Sequence, residues 1–339
     1  MSQATSLIAA GLPTGVAEGV LDLPAPFLLH HGDTLPDARL AYRLAGPDGA
    51  PVVVALGGIS AHRHVAAPRT EGWWHTLVGP GLGLDTNRYR ALGIDYLGGR
   101  GASSAPDTHG YFPPVSAWDQ AQALARVITS LDVGPVHAVL GASYGGMVAM
   151  ALAALHPGLA RRIVVISTAE RAQPQATAVR SLQRQIVREA LARGDGAAGL
   201  KLARALAMTT YRTAGELAQR FSGAPVREGA RFRFPVEDYL FARGDDYVRH
   251  YRPESFLALS ESIDLFAIDA AAITVPVTLI AVREDQLVPV SDMRALATRI
   301  GARCRLIEVS SICGHDAFLT EGAMLRPIFA QILEEDPRP

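Results

Sequence analysis

Only two of the 339 residues are cysteine, Cys304 and Cys313, too few for a disulfide framework or a thiolate zinc site. Charged residues make up 19% of the chain, and the formal net charge is −1 with no block of like sign. Nucleic-acid and membrane-surface binders draw affinity from clustered Lys and Arg, so the sequence argues against both partners. The amino end, Met1 to Val20, lacks a basic start followed by a long apolar run, so no signal peptide is expected there. No stretch reaches the roughly 20 uninterrupted apolar residues that a membrane helix needs. These absences lead us to expect a soluble, cytoplasmic protein with no metal and no permanently bound cofactor.

Hydrophobic residues make up 49%, enough for a large buried core. Compact apolar runs alternate with helical patterns, which predicts a parallel sheet flanked by helices. Val52–Leu56, Tyr89–Asp95, Val136–Leu140, Ile163–Ile166 and Val277–Ala281 read as strands, with Arg305–Val309 as a weaker sixth. Most are apolar without alternation, as expected when helices cover both faces. Trp118–Leu131 and Tyr144–Leu155 have helical spacing and no internal proline. From about Ala169 to Ala271 the rhythm changes, and Gln183 to Tyr211 is rich in Ala, Arg, Leu and Gln, all good helix formers apart from a Gly-rich break at Gly194–Gly199. The expected organisation is therefore a core of residues 1–168 and 272–339, with 169–271 inserted as a helical cap.

Gly141-Ala142-Ser143-Tyr144-Gly145 fits the pattern G-x-S-x-G, placed after an apolar strand and before a helix pattern. That context matches the nucleophile elbow of the α/β-hydrolase fold, in which a strained turn exposes a serine hydroxyl. A serine is a weak nucleophile, so it needs a base, and the base needs an orienting carboxylate. In this fold the chain order is Ser, then acid, then His. Asp285 follows the strand Val277–Ala281, with Glu284 as its nearest rival, and His315 is the only histidine beyond it. The expected triad is Ser143, Asp285 and His315. For the oxyanion hole the expected amides are those of Tyr144 and of Ile59 in Gly57-Gly58-Ile59-Ser60, with Gly58 as the rival to Ile59.

Over nearly its whole length the chain also resembles the homoserine O-acyltransferases of the α/β-hydrolase superfamily. The resemblance rests on Gly72-Trp73-Trp74, on Leu84-Asp85-Thr86-Asn87-Arg88-Tyr89, and on Tyr96-Leu97-Gly98-Gly99. It continues in Ser143-Tyr144-Gly145-Gly146-Met147, Ser181-Leu182-Gln183-Arg184, Leu202-Ala203-Arg204, Thr210-Tyr211-Arg212 and Gly314-His315-Asp316-Ala317-Phe318-Leu319. It implies that Arg204 holds the carboxylate of an amino-acid acceptor, that Asp316 takes the α-amino group, and that Tyr211 lies beside them. It further implies L-homoserine as acceptor, acetyl-CoA or succinyl-CoA as cosubstrate, a role in methionine biosynthesis and a homodimer.

The chain departs from the family pattern at Leu56-Gly57-Gly58-Ile59-Ser60, at Tyr144, and at Arg100-Gly101-Ala102-Ser103-Ser104. For the donor, Arg63 just past the oxyanion loop is a candidate cation for a succinyl carboxylate. Leu287 stands where succinyl-using relatives often carry an arginine. The balance leans slightly to succinyl. Serine as acceptor, and an esterase or thioesterase of the same fold, are the alternatives.

Overall fold

A computed structural model describes residues 5–7, 15–66, 72–107 and 111–335. Of the amino end read for a targeting segment, residues 1–4 and 8–14 lie outside the described residues, as do the last four of the chain. A nine-stranded sheet forms the centre, in the order β1-β2-β3-β5-β4-β6-β7-β8-β9. In chain order these are β1 (Thr5–Leu7), β2 (Val16–Asp22), β3 (Arg39–Ala45), β4 (Val52–Leu56), β5 (Arg90–Ile94), β6 (Ala138–Ala142), β7 (Ile163–Ile166), β8 (Val277–Val282) and β9 (Cys304–Val309). The pairings from β5 through β9 are all parallel, whereas β1, β2 and β3 join as antiparallel strands.

All residues of β4, β6 and β7 are buried, which explains why these strands read as continuous apolar runs. Helices α1 (Ala117–Ser130), α2 (Tyr144–Leu155), α8 (Val290–Ile300), α9 (Ala317–Thr320) and α10 (Gly322–Glu334) accompany the sheet. α1 starts at Ser116, whose backbone amide and hydroxyl both donate to Asp119 at 2.7 Å, so the first turn is tied by one carboxylate.

Between β7 and β8 the chain forms α3 (Pro174–Ala192), α4 (Gly196–Tyr211), α5 (Ala214–Arg220), α6 (Pro235–Val248) and α7 (Pro253–Asp264). A small hairpin, Val226–Glu228 with Arg231–Arg233, separates α5 from α6. The glycine-rich break expected over Gly194–Gly199 is shorter than the sequence suggests. α3 stops at Arg193–Asp195, where Gly194 takes φ +75°, and α4 resumes at Gly196. Gly199 sits inside α4 because a Cβ there would lie 2.4 Å from that of Ala190, so its absence lets α3 and α4 approach.

Several strand limits also shift, most of them by one residue. β6 runs through Gly141 to Ala142 rather than ending before Gly141, because Gly141 still pairs with Leu56 on one side and Val165 on the other. β2 and β3 were absent from the sequence expectation. Their polar residues Glu18, Arg39 and Arg43 interrupt any continuous apolar run.

Glycine at position 145 is required by packing, since a Cβ there would lie 2.4 Å from the Leu56 carbonyl oxygen. Gly145→Ala should therefore destabilise by about 1–3 kcal/mol, the usual cost of overpacking. Gly158, with open space at its Cβ position, is the control, and Gly158→Ala should lie within about 0.5 kcal/mol of the parent in denaturant unfolding.

Candidate active site

Ser143 stands at the junction of β6 and α2 with φ +54° and ψ −122°, a conformation that a side-chain-bearing residue rarely adopts. Its amide continues the ladder to the Ile166 carbonyl at 2.9 Å, and its carbonyl accepts from Thr168 Oγ1 at 2.7 Å. The turn is thus held from both ends. The hydroxyl points at His315, whose Nε2 lies 2.9 Å from Ser143 Oγ. On the far side of the ring, Nδ1 lies 2.7 Å from Asp285 Oδ2. Asp285 is itself fixed by the amides of Leu287 and Val288, at 2.9 and 3.0 Å on Oδ1. Glu284, the rival acid, turns away and binds the Ser310 hydroxyl and the Ser311 amide.

His315 and Asp285 are both buried. Burial pulls the imidazole pKa down, but the charge and hydrogen bond of Asp285 outweigh it and leave the pKa above the ordinary value of 6.5. A histidine so placed takes a proton readily from the serine hydroxyl.

The Gly57–Ser60 loop lies against this centre. Gly58 and Ile59 line the same cavity as Ser143, and neither they nor Tyr144 spend their amides on a hydrogen bond among the described residues. The Gly57 carbonyl is held by the Tyr96 hydroxyl at 2.8 Å and the Ile59 carbonyl by the Tyr251 hydroxyl at 2.9 Å. The loop is therefore fixed through its carbonyls, while the amides stay available. The Tyr144 side chain plays a separate part. It is buried, and its hydroxyl meets Ser262 Oγ of α7 at 2.6 Å.

Two cavities meet at Ser143, and Tyr211 and Ile263 border both. The first, about 210 Å³, carries Arg204 and Asp316 with Trp73 and Phe318. The Arg204 guanidinium lies over the rings of Tyr211 and Tyr247, at 5.2 and 4.8 Å from their centroids, and among the described residues it forms no ion pair. Asp316 lies 3.1 Å from Arg212 Nε, an ion pair whose geometry falls short of an aligned hydrogen bond. The Tyr211 ring sits 5.7 Å from that of His315. Arg204, Asp316 and Tyr211, expected together from resemblance, thus come together around the serine.

The second cavity is bordered by Leu287, Val288, Arg180 and Gln183 as well as Ser143 and His315. Leu287 supplies an apolar wall there. Arg180 was missed in the sequence, and Gln183 was quoted there within a family motif without a role. Their spacing on α3 marks a helix face, but nothing local says that this face meets Ser143. Trp73 was quoted as a family residue without a role, and its indole donates to the His62 carbonyl at 3.0 Å while the ring borders the first cavity.

The expectation for Arg63 is overturned. Its Nε donates to Glu18 Oε1 at 2.7 Å, and its Nη1 and backbone amide bond the buried Asp95. Arg63 borders neither cavity at Ser143 and opens instead toward His62, His64, Arg100 and His250. Two carboxylates from distant strands already neutralise it, so it is not free to hold a donor's carboxylate. Among the described residues, no group of His, Cys, Asp and Glu is arranged to hold a metal ion. No helix there is long and apolar enough to cross a membrane.

A serine elbow after β6, a carboxylate after β8 and a histidine after β9, all on the parallel side of the sheet, define a protein of the α/β-hydrolase class. The sequence pattern of the alpha/beta hydrolase fold matches residues 51–322. The chain is 40% identical over 312 residues to a homoserine O-succinyltransferase of Xanthomonas campestris pv. campestris, covering 91% of this chain and 81% of that protein. It is 32% identical over 361 residues to a serine O-succinyltransferase of Litchfieldella anticariensis, covering 94% of this chain and 98% of that one. A homoserine O-acetyltransferase from Bacillus anthracis superposes with a TM-score of 0.85 at 19% identity, over 95% of this chain and 99% of that one. Within the α/β-hydrolase superfamily the chain belongs to the homoserine O-acyltransferase family, and it is an acyltransferase.

Two outcomes are expected from the Ser143–His315–Asp285 geometry. Asp285→Asn should lower kcat by about 10³- to 10⁴-fold, because the imidazole loses its orienting carboxylate. Activity needs neutral His315, so kcat/KM should rise with pH through a midpoint above 6.5 in the parent. That midpoint should fall in Asp285→Asn, where the group that raises it is gone. A parent profile flat from pH 6 to pH 9 would remove His315 as the base.

Proposed function

We propose that this protein is an L-homoserine O-acyltransferase of methionine biosynthesis that takes its acyl group from acyl-CoA, with succinyl-CoA preferred. The observation that carries this reading is the pairing of an unneutralised cation, Arg204, with an acid, Asp316, in the cavity that holds the Ser143 hydroxyl. A zwitterionic acceptor needs one of each, and a bidentate guanidinium suits a carboxylate. An apolar ester would use neither.

In the first half-reaction Ser143 Oγ attacks the thioester carbonyl carbon while His315 Nε2 takes the hydroxyl proton. The amides of Ile59 and Tyr144 stabilise the oxyanion. The carbon–sulfur bond then breaks, and His315 returns the proton to the departing sulfur. In the second half-reaction the homoserine hydroxyl gives its proton to His315 and attacks the acyl-serine carbon. The ester oxygen of Ser143 leaves and is reprotonated by His315, giving ping-pong kinetics.

A transferase must also hold water away from the acyl-serine. The helices of residues 169–271 are proposed as the cap that does this, supported by Tyr211 and Ile263 from those helices bordering both cavities. A homodimer is proposed as well. Large apolar side chains exposed on this segment, Leu182, Leu202, Phe232, Phe234 and Phe241 among them, offer it a surface.

The test is CoA-thiol release from succinyl-CoA and acetyl-CoA, each with L-homoserine, with L-serine and with neither, and products identified by mass. Homoserine-dependent release yielding O-succinylhomoserine is the expected result. Faster transfer to serine would move the acceptor, and release at one rate without any amino acid would make the enzyme a thioesterase. Arg204→Ala should raise the KM for homoserine by about 10- to 100-fold, as a lost charge-assisted hydrogen bond does.

A further inference from the structure

With Arg63 neutralised and Leu287 uncharged, the reading of a succinyl donor leaves its distal carboxylate without a partner. The second cavity supplies one. Positions 180, 183 and 184 follow one another at i, i+3 and i+4 on α3 and so share a face. Arg180 and Arg184 both bind Asp264 at the end of α7. Arg180 Nε and Nη2 lie 2.9 and 2.6 Å from Oδ1, and Arg184 Nη1 lies 2.6 Å from Oδ2. Thr177 donates to Oδ1 at 2.7 Å, completing the shell of the carboxylate.

The charge count of this cluster does not close. Two guanidiniums, with side chains 14% and 9% exposed, share one carboxylate that is 10% exposed. Asp264 is held ionised, because its bonds to Arg180 outweigh the burial that would raise its pKa. One positive charge is left over in a place mostly removed from water, where an unmatched charge is costly.

The two arginines are not equivalent. Arg184 also donates to the Ser260 carbonyl at 3.0 Å and to the Ser181 hydroxyl at 3.2 Å, so protein groups occupy it, and it does not border the cavity. Arg180 does border the cavity, beside Ser143 and His315, and its Nη1 has no hydrogen-bond partner among the described residues. Gln183, 4% exposed, borders the same space, and its amide likewise has no partner among the described residues. The other charges on this wall are Arg171 and Asp292, one of each sign; Glu170, 3.3 Å from Arg171, is also bound by Arg299 at 2.6 Å, so these four groups sum to zero. Leu287, Val288 and Ile263 complete the lining with apolar surface.

We infer that Arg180, with Gln183, is the specificity determinant for the acyl donor, binding the distal carboxylate of a dicarboxylic half-thioester such as succinyl-CoA. This inference rests on the acyltransferase reading above. Apolar walls suit the two methylenes of the succinyl chain, and the surplus guanidinium charge suits its end. An acetyl group would leave that charge unmatched.

The experiment compares succinyl-CoA with butyryl-CoA, a donor of equal chain length and no terminal charge, as substrates of the full chain with homoserine. The quantity read is the ratio of the two kcat/KM values. Arg180→Met should lower this ratio by about 10- to 100-fold, with Arg180→Lys intermediate because a point charge replaces a planar fork. Arg180→Met keeps the Arg184–Asp264 pair, so the helix contact has a remaining tie. Gln183→Leu, which removes no charge, should lower the ratio by about 3- to 10-fold and serves if Arg180→Met fails to fold. An unchanged ratio in both variants, or a parent that prefers butyryl-CoA, overturns the inference while leaving the acyltransferase reading intact. A parent that transfers neither acyl group to an amino acid overturns the acyltransferase reading, and this inference with it.

Discussion

The strained backbone at Ser143 is the constraint on which the site depends. A residue at φ +54° persists only where its surroundings over-determine it. Here the amide is committed to Ile166, the carbonyl to Thr168, and the turn is pressed between Gly141 and Gly145, where a side chain on either would strike backbone. The strain has a chemical return. It lifts the hydroxyl out of the ladder and leaves the Tyr144 amide, at the start of α2, uncommitted, as the proposed oxyanion donor requires. His315 and Asp285 need only be delivered to that fixed point, and the ends of β8 and β9 deliver them.

Around this point the two cavities differ in charge, and the difference follows from which ion pairs close within the protein. Arg63 is satisfied by Glu18 and Asp95, so it serves the loop and not a ligand. Arg212 is shared by Asp316 and Glu216, which positions Asp316 and leaves it on the cavity wall. Arg204 stacks on two tyrosine rings and Arg180 shares its carboxylate, so each retains capacity for an anion. A buried ion pair adds little to stability by itself, whereas a buried surplus charge demands a partner. The incomplete pairs are therefore the informative ones.

The parts of this arrangement that were legible in the sequence are those set by local rules. Val52–Leu56 and Ile163–Ile166 were found with their observed limits, because fully buried parallel strands write uninterrupted apolar runs. The triad could be assigned because the fold fixes the order of its members, leaving a single histidine beyond Asp285. β2 and β3 were not legible, since an antiparallel flank carries Glu18 and Arg43 in an ion pair that no linear pattern announces. The same holds for Arg63 and Arg180. Each looks like an ordinary solvated cation in the sequence, and only the pairing of distant strands and helices separates the neutralised one from the one with charge to spare.

The helices between β7 and β8, proposed above as a cap, also tie the backbone around Ser143 at three points. Tyr144, whose amide is proposed for the oxyanion site, is bound through its hydroxyl to Ser262 of α7. The Ile59 carbonyl, one peptide from the other donor, is bound by Tyr251 just ahead of α7, and Ser60 Oγ donates to Tyr247 of α6 at 3.2 Å. Tyr247 in turn carries the Arg204 guanidinium on its face. Through that one aromatic ring Arg204 and the Gly57–Ser60 loop share a support. The residue proposed to hold the acceptor and the loop proposed to hold the oxyanion thus rest on the same side chain of α6, so a change at Tyr247 reaches both.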